Sequence, residues 1–295
     1  MKTVTSKIRI DLENILFATD FSPASMTALP YAAGIARHYE ANLYALHVRM
    51  PLSPEALPVV EKAATDDEQA GIRMLRESTG GVAPVILVEE GPLWPTIESA
   101  VKKNKIDLIV AGTRGRTGIG KLLLGSAAEE IVRNASCPVL TVGPHAASHP
   151  KAGGFTEILY ATDFSSEFGA SAAFAISLAQ EYEAHLTLLH AIDSPKTGEL
   201  ILAEELIPSA ERRLRELVSP EAQIWCKPQY LIDQGDPAEK ILDVAERRKA
   251  DLIILGVRHS AGIPGAATHL PIATAHKIVA HAKCPVLTVR TETSP

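Results

Sequence analysis

The chain repeats itself once, and this duplication limits the folds available to it more than any other feature of the sequence. Residues 15–22 read Ile-Leu-Phe-Ala-Thr-Asp-Phe-Ser, and residues 158–165 match them at seven of eight positions, with an offset of 143. The segment Cys-Pro-Val-Leu-Thr-Val stands at 137–142 and recurs unchanged at 284–289. Because the matching segments follow the same order in both halves, we infer one domain copied in tandem.

A stretch rich in glycine, proline and small residues separates the two copies at residues 143–154. Such residues interrupt helices and strands and are typical of linkers. We therefore predict a first domain over residues 1–145 and a second over residues 155–295, with the boundary near residue 150. A chain of 295 residues is long enough for both domains to bury a core of their own.

Within each copy, short apolar runs alternate with segments of helical periodicity. The predicted strands are 14–19, 42–48, 84–89, 107–111 and 138–142 in the first copy, and 157–162, 185–191, 228–233, 251–255 and 285–289 in the second. Their apolar runs are nearly continuous, as in strands covered on both faces. The alternation predicts an α/β fold of two tandem, doubly wound, parallel five-stranded sheets. Such sheets bind ligands beyond the carboxyl ends of their strands.

A glycine-rich segment follows the predicted fourth strand of the first copy. Gly112, Gly115 and the pair Gly125-Ser126 give it the spacing G-x2-G-x9-G-S. Glycines let a backbone approach an anion closely, and Ser126 is placed to begin a helix whose free amides and dipole favour negative charge. The segment therefore predicts a phosphate site. Asp20, which ends the first strand, is expected at the same edge of the sheet as Gly112.

The same segment also contains part of a second nucleotide-binding motif. Residues 115–121 fit the beginning of a Walker A sequence, but Leu122 stands where that motif requires a magnesium-binding serine or threonine. We therefore interpret the segment as a different kind of nucleotide loop. Lys121 either contacts phosphate or is solvated, and the sequence leaves both roles open.

These segments together resemble the universal stress proteins of the tandem-domain kind. The resemblance rests on the glycine loop, the Ala-Thr-Asp-Phe-Ser and Leu-His strand ends and the final Cys-Pro-Val-Leu-Thr-Val strand, and it covers nearly the whole chain. It implies a Rossmann-like fold of the adenine nucleotide alpha hydrolase type. It also implies ATP as the ligand, with or without Mg²⁺.

The resemblance further implies which residues contact the nucleotide. Adenine is expected near Thr19, Asp20 and Val48, and the ribose and phosphates along Gly112, Arg114, Gly115, Gly125, Ser126 and Ala127. Independently of the family, the Asp20 carboxylate can accept hydrogen bonds from amino or hydroxyl groups. A structural role for Asp20 in a strand-end turn is the alternative, because Asp163 recurs at the same place in the second copy.

The second copy departs from this pattern in its own loop. His259 replaces the second glycine, and Ile272-Ala273 replaces the Gly-Ser pair. Pro264 and Pro271 remove amide donors, and a β-branched isoleucine cannot replace a glycine at close backbone approach. We therefore predict that the second copy has lost ordinary ATP binding.

Histidines and cysteines of the chain suggest neither a metal site nor redox chemistry. His276 and His281 are five residues apart, so on a helix they point in different directions, and we expect no bound metal. The three cysteines, Cys137, Cys226 and Cys284, form no CxxC pair and are expected to be reduced and mostly buried.

Charge and hydropathy exclude several classes of partner. A formal net charge of -6 gives no general attraction to nucleic acid or anionic lipid, and the apolar run at residues 15–18 is far too short for a signal peptide or a membrane span. We expect a cytoplasmic protein. Neither a general base nor a magnesium-binding pair is expected beside the phosphates, which disfavours an enzyme, although slow ATP hydrolysis is compatible with the sequence.

The sequence thus predicts an ATP-binding stress or regulatory protein without catalytic residues. The second copy is expected to act as a structural or regulatory partner of the first, in a pseudo-dimer that the family resemblance implies is paired through the last strand of each half. Such pairing protects a sheet edge. A homodimer of two chains is compatible with the sequence. The alternatives are a slow ATPase and an interaction scaffold that binds no nucleotide.

Overall fold

The computed structural model of the protein describes residues 10–49, 58–114, 124–146, 154–164, 168–192, 201–257 and 272–290. The chain divides into two compact units, Asp11–Pro150 and Lys151–Pro295, and Ile10 groups with the second. The backbone amide of Ile10 donates a hydrogen bond of 2.9 Å to the hydroxyl oxygen of Ser177.

The first unit alternates strands and helices along the chain. Its described elements are β1 (Asn14–Ala18), α1 (Pro23–Met26), α2 (Leu29–Tyr39), β2 (Asn42–Arg49), α3 (Pro58–Ser78), β3 (Val85–Glu90), α4 (Leu93–Asn104), β4 (Leu108–Gly112), α5 (Ser126–Asn134) and β5 (Val139–Val142). The strands lie in the order β3-β2-β1-β4-β5, and all neighbours are parallel. The chain leaves β1 towards one edge and later returns to its other side, so the strand order reverses between β1 and β4.

The second unit repeats this order. Its described elements are β6 (Glu157–Ala161), α6 (Phe168–Glu181), β7 (His185–Ile192), α7 (Ile201–Leu217), α8 (Pro220–Cys226), β8 (Gln229–Gln234), α9 (Pro237–Arg248), β9 (Leu252–Val257), α10 (Ile272–His281) and β10 (Val286–Arg290). The strand order is β8-β7-β6-β9-β10, again parallel throughout. The predicted α/β fold with doubly wound parallel strands is confirmed in each unit.

The central strands are covered on both faces, as their continuous apolar sequences predicted. In β1, Ile15, Leu16 and Phe17 are all fully buried, and in β4 Ile109 and Val110 are as well. Successive side chains of a strand point to opposite faces, so this burial requires helices on each side of the sheet.

One aspartate anchors the start of the central strands in each unit. Asp107, just before β4, accepts hydrogen bonds from the amides of Glu13 and Asn14 at 2.9 and 2.8 Å. Asp251, just before β9, accepts from the amides of Thr156 and Glu157 at 3.0 to 3.1 Å. These bonds satisfy donors at the beginning of β1 and β6, which explains why the residue recurs in the duplicated sequence.

One buried pair of hydroxyl groups in the second core is replaced by apolar side chains in the first. In the second unit the Tyr160 hydroxyl lies 3.0 Å from the hydroxyl oxygen of Ser171, and both residues are buried. The repeat offset of 143 places Phe17 and Ala28 at the corresponding positions of the first unit. Burial raises the pKa of Tyr160 to about 12, so the phenol is neutral and can donate to the serine.

No helix within the described ranges is both long enough and apolar enough to cross a membrane.

Candidate functional site

A tight turn connects β1 to the first helix. The Thr19 hydroxyl oxygen accepts a hydrogen bond from the Phe21 amide at 2.9 Å, and Asp20 Oδ1 accepts from the Ser22 amide at 3.0 Å. Side-chain oxygens that accept from an amide two residues onward stabilise turns of this kind. Phe21 adopts a left-handed backbone conformation with φ of 59°, which is unusual for a bulky residue. Asp20 therefore has a structural contribution in addition to any contact with a ligand.

A histidine at the end of the neighbouring strand supports this turn. His47 Nδ1 lies 2.9 Å from the Thr19 carbonyl oxygen, and its ring centroid lies 4.8 Å from that of Phe21. A carbonyl oxygen only accepts, so Nδ1 carries the proton.

The second unit contains the same turn. His190 Nδ1 lies 2.8 Å from the Thr162 carbonyl oxygen, and Phe164 has φ of 57°. Burial lowers the pKa of His190, and the nearby Arg213 charge acts in the same direction. The recurring Thr-Asp-Phe and Leu-His motifs therefore build the strand ends in both units, whether or not the adjoining loop is conserved between the copies.

Gly112 ends β4 beside this turn and is required by packing against helix α1. A Cβ on Gly112 would lie 2.8 Å from Ser25 Cα and 3.0 Å from the Ala24 carbonyl oxygen, both backbone atoms. The corresponding glycine of the second unit, Gly256, would place a Cβ 2.8 Å from the Ser171 hydroxyl oxygen. The sequence interpretation assigned Gly112 to close approach of an anion, and the structure adds a packing role.

Helix α5 begins at Ser126, as the sequence predicted. Gly125 precedes it with φ of -66° and ψ of 146°, and in the described part of the chain no side chain caps this helix. The Gly125 amide donates to the Thr113 carbonyl oxygen at 2.9 Å, and the first helical bond runs from the Glu129 amide to the Gly125 carbonyl. The amides of residues 126–128 precede that bond, so the helix presents the donors and the positive dipole end that bind anions.

One cavity of about 250 Å³ lies at the carboxyl ends of β1, β2 and β4, where the strand order reverses. Eight of the nine residues predicted from the sequence line it: Thr19, Asp20, Val48, Gly112, Arg114, Gly125, Ser126 and Ala127. The ninth, Gly115, lies outside the described residues, as does Lys121. Segments that are distant in sequence, from residue 19 to residue 127, therefore meet around a single space.

The cavity also has an apolar wall that sequence reasoning did not assign to it. Leu46, Leu93, Ile97 and Ile131 line it, and Leu46, Ile97 and Ile131 belong to the buried core beneath. Leu93 and Ile97 are four residues apart on α4, so their shared helix face was visible in the sequence. The sequence does not reveal that this face of α4 lies beside the end of β2.

An ion pair fixes the end of β2 next to Val48. Arg49 Nε lies 2.6 Å from Glu68 Oε2, and a second bond of 2.8 Å joins Nη2 to Oε1. Glu68, on α3, is buried, whereas the Arg49 side chain is about half exposed. The bond to Glu68 raises the pKa of Arg49. The bidentate pair ties α3 to the strand that carries Val48 into the cavity.

Comparison with known proteins identifies the family. The family model described as the universal stress protein family matches the chain twice, over residues 12–143 and 154–290. The chain belongs to the universal stress protein family. Its two matched regions correspond to the two copies found in the sequence, which confirms the tandem-domain resemblance.

Curated relatives and solved structures agree with this membership. A universal stress protein of Methanocaldococcus jannaschii is 34% identical over 140 residues, covering 44% of this chain and 81% of that protein. One of Mycolicibacterium smegmatis is 24% identical over 304 residues, covering 94% of this chain and 96% of its own. The crystal structure of a universal stress protein from Archaeoglobus fulgidus matches with a TM-score of 0.67 and 18% identity, covering 94% of this chain and 98% of that one, which shows the fold.

The second copy's altered loop lies largely outside the described residues, including His259, Pro264 and Pro271. Helix α10 follows it and begins at Ile272. The loss of ATP binding by this copy therefore stays a prediction.

The described ranges contain free cysteines but no cluster of candidate metal ligands. No group of three or more histidine, cysteine or acidic side chains there could hold a metal ion. Cys226 and Cys284 are buried and Cys137 is partly buried, and all three are free. Burial raises the pKa of Cys137 and Cys284 to about 12, so their thiols stay protonated at neutral pH.

Proposed function

We propose that the first domain binds one ATP in the cavity at the end of β1, β2 and β4, and that the protein acts as a cytoplasmic, ATP-binding regulator in the stress response. The observation that carries the proposal is the convergence of eight residues, selected from the sequence, around one cavity. Membership of the universal stress protein family supports the stress-related role.

The lining of the cavity fits an adenine nucleotide. The apolar wall of Leu46, Leu93, Ile97 and Ile131 would pack against a purine, and the backbone of Val48 would supply polar contacts at its edge. The Asp20 carboxylate offers acceptor sites for hydroxyl or amino groups. At the opposite end, the first amides of α5 would bind phosphate oxygens, with Arg114 close enough to contribute positive charge.

The composition of the cavity lining favours nucleotide binding over catalysis. Among the described lining residues, Asp20 is the single carboxylate, and none is a histidine. Phosphoryl transfer requires groups that position a nucleophile and metal ions that neutralise the phosphates. We therefore propose a nucleotide-binding protein without an enzymatic function, in which Mg²⁺ enters, if at all, together with the nucleotide.

The second domain is proposed to serve as a structural or regulatory partner of the first. Its sheet and its strand-end turn match those of the first domain, whereas its loop sequence does not. Pairing of the two domains through β5 and β10, and association of two chains into a homodimer, stay predictions from the family resemblance.

Nucleotide stoichiometry tests the proposal. Purified protein is saturated with ATP, freed of excess ligand, denatured and analysed by mass spectrometry, and about one adenine nucleotide per chain is expected. Two per chain would contradict the loss of binding in the second domain. If no nucleotide is released and titration with ATP in a calorimeter produces no heat, the protein would instead be an interaction scaffold that binds no nucleotide.

A pair of matched variants assigns the site. Gly125→Val should abolish ATP binding while the circular dichroism spectrum stays unchanged, because Gly125 lines the cavity beside the amides of α5 and a branched side chain there would take up space needed by the nucleotide. Ile272→Val, at the aligned position of the second copy, should leave binding at the wild-type level. Equal affinities of the two variants would refute the assignment. Magnesium-dependent turnover that Gly125→Val removes would instead support an ATPase.

A further inference from the structure

The phenylalanine of the strand-end turn has different surroundings in the two units. In the second unit, Phe164 is buried between two side chains: the His190 ring centroid is 4.3 Å away, and Arg213 Cζ lies 4.2 Å from the centroid of the Phe164 ring. Arg213 Nη2 also donates a hydrogen bond of 3.1 Å to the Phe164 carbonyl oxygen. One arginine of α7 thus stacks on the ring and binds the carbonyl of the same residue.

The first unit carries a methionine at the position of this arginine. Residues 73–77 read Arg-Met-Leu-Arg-Glu and residues 212–216 read Arg-Arg-Leu-Arg-Glu, so the two helices differ there only at Met74 and Arg213. The leucines that follow, Leu75 and Leu214, are both fully buried, which shows that α3 and α7 present the same face to their cores. Met74 itself is 49% exposed.

An open groove of about 660 Å³ lies beside Phe21 in the first unit. Residues 21–24 form one wall, and Asp67, Ala70, Gly71 and Met74 of α3 form the other. Gly71 lets the Phe21 ring rest on the helix, since a Cβ there would lie 2.4 Å from Phe21 Cγ. Asp67, Gly71 and Met74 are spaced so that they share one helix face. Among the described lining residues, none is common to this groove and the nucleotide cavity.

We propose that this groove binds the arginine side chain of a partner protein. The turn has the same backbone conformation in both units, with φ of 59° at Phe21 and 57° at Phe164, and each ring packs against the histidine of the next strand. We therefore expect the Phe21 ring and carbonyl to accept a guanidinium as Phe164 accepts that of Arg213. A guanidinium stacks on an aromatic face and donates in its own plane, which the lysine ammonium does not. Asp67, exposed on the groove wall, adds a complementary negative charge.

Methionine methyl resonances report on occupancy of the groove. The chain has four methionines, of which Met74 lines the groove and Met26 is buried elsewhere in the same unit as an internal control. In protein labelled with [¹³C-methyl]methionine, acetyl-Gly-Arg-Gly-amide should shift the Met74 signal with a dissociation constant of about 1–10 mM and leave Met26 unmoved. The neutral citrulline analogue, and the arginine peptide on Asp67→Asn protein, should each bind about fivefold more weakly.

Equal shifts from the arginine and citrulline peptides would overturn the proposal, because they would show that charge and the planar donors contribute nothing. A Met74 shift that follows protein concentration without peptide would also overturn it, by assigning the groove to a second copy of this chain.

A reciprocal exchange tests the same idea without a ligand. Met74→Arg should place a guanidinium over Phe21 in cis and raise the unfolding temperature of the first domain by about 2–4 °C, whereas the neutral control Met74→Gln should not. Arg213→Met should lower the unfolding temperature of the second domain by a similar amount and create there a site for the arginine peptide. If Met74→Arg and Met74→Gln unfold at the same temperature, the groove does not recognise arginine.

Discussion

Gly112→Ala separates two explanations for the first glycine of the loop. If the residue serves helix packing, the added methyl group has no space, because backbone atoms of α1 lie 2.8 and 3.0 Å from the Cβ position. Ordinary contacts are 3.4 Å or longer, so β4 or α1 must move by about half an ångström. Such overpacking costs about 1–3 kcal/mol. For a domain of this size the unfolding temperature should fall by about 3–10 °C.

Differential scanning calorimetry without nucleotide measures this effect, and Gly169→Ala provides the control. Gly169 lies in α6, where a Cβ would meet nothing within 4 Å, so the same chemical change should be neutral or stabilise by up to about 1 kcal/mol. A Gly112→Ala protein that unfolds at the wild-type temperature but no longer binds ATP would refute the packing argument. It would show that the missing side chain makes room for the ligand.

Three further predictions concern interactions described above. Tyr160→Phe should destabilise the second domain by about 1–3 kcal/mol, because it removes the buried hydrogen bond between the Tyr160 and Ser171 hydroxyls, and adding Ser171→Ala should cost less than the same change costs in the wild-type protein in chemical denaturation; additive effects would contradict the coupling. His190 has a lowered pKa in the folded protein, so the unfolded chain binds the proton more readily and the second domain should lose stability as the pH falls below about 6.5. His190→Asn should show a smaller decrease in unfolding temperature between pH 7 and pH 5, and an equal decrease would exclude His190 as the cause. Glu68→Gln should cost about 1 kcal/mol, since Arg49 is about half exposed and solvent screens the pair, and 1 M NaCl should reduce the difference from wild type.

Much of the fold followed from the duplication, because each copy constrains the interpretation of the other. Continuous apolar runs indicated strands covered on both faces, and full burial of Ile15, Leu16 and Phe17 agrees with this. The start of α5 at Ser126 followed from the loop spacing. These features depend on local sequence, where side-chain periodicity and helix-start signals act directly.

Other features depend on contacts between distant segments and could not be read from the sequence. The packing of Gly112 against Ser25 joins residues that are far apart in the chain, so the spacing of the glycines did not reveal this second reason for a glycine. The supporting bond from His47 to Thr19 is of the same kind, although the recurrence of Leu-His in both copies marked the residue. The four-residue spacing of Leu93 and Ile97 places them on one helix face, but only the sheet topology brings that face to the cavity.

Because the turn after β1 recurs after β6, the second domain is suited to receive the glycine-rich loop of the first domain. Both domains already carry the hydroxyl that accepts from the phenylalanine amide, the left-handed phenylalanine and the histidine on the next strand. The two copies therefore differ in the loop sequence while sharing the turn beside it. Replacing residues 256–273 by the segment 112–126 would change the loop of the second domain and leave its strand-end turn unchanged. Binding of a second nucleotide per chain would then show that the loop alone accounts for the difference in nucleotide binding between the two domains.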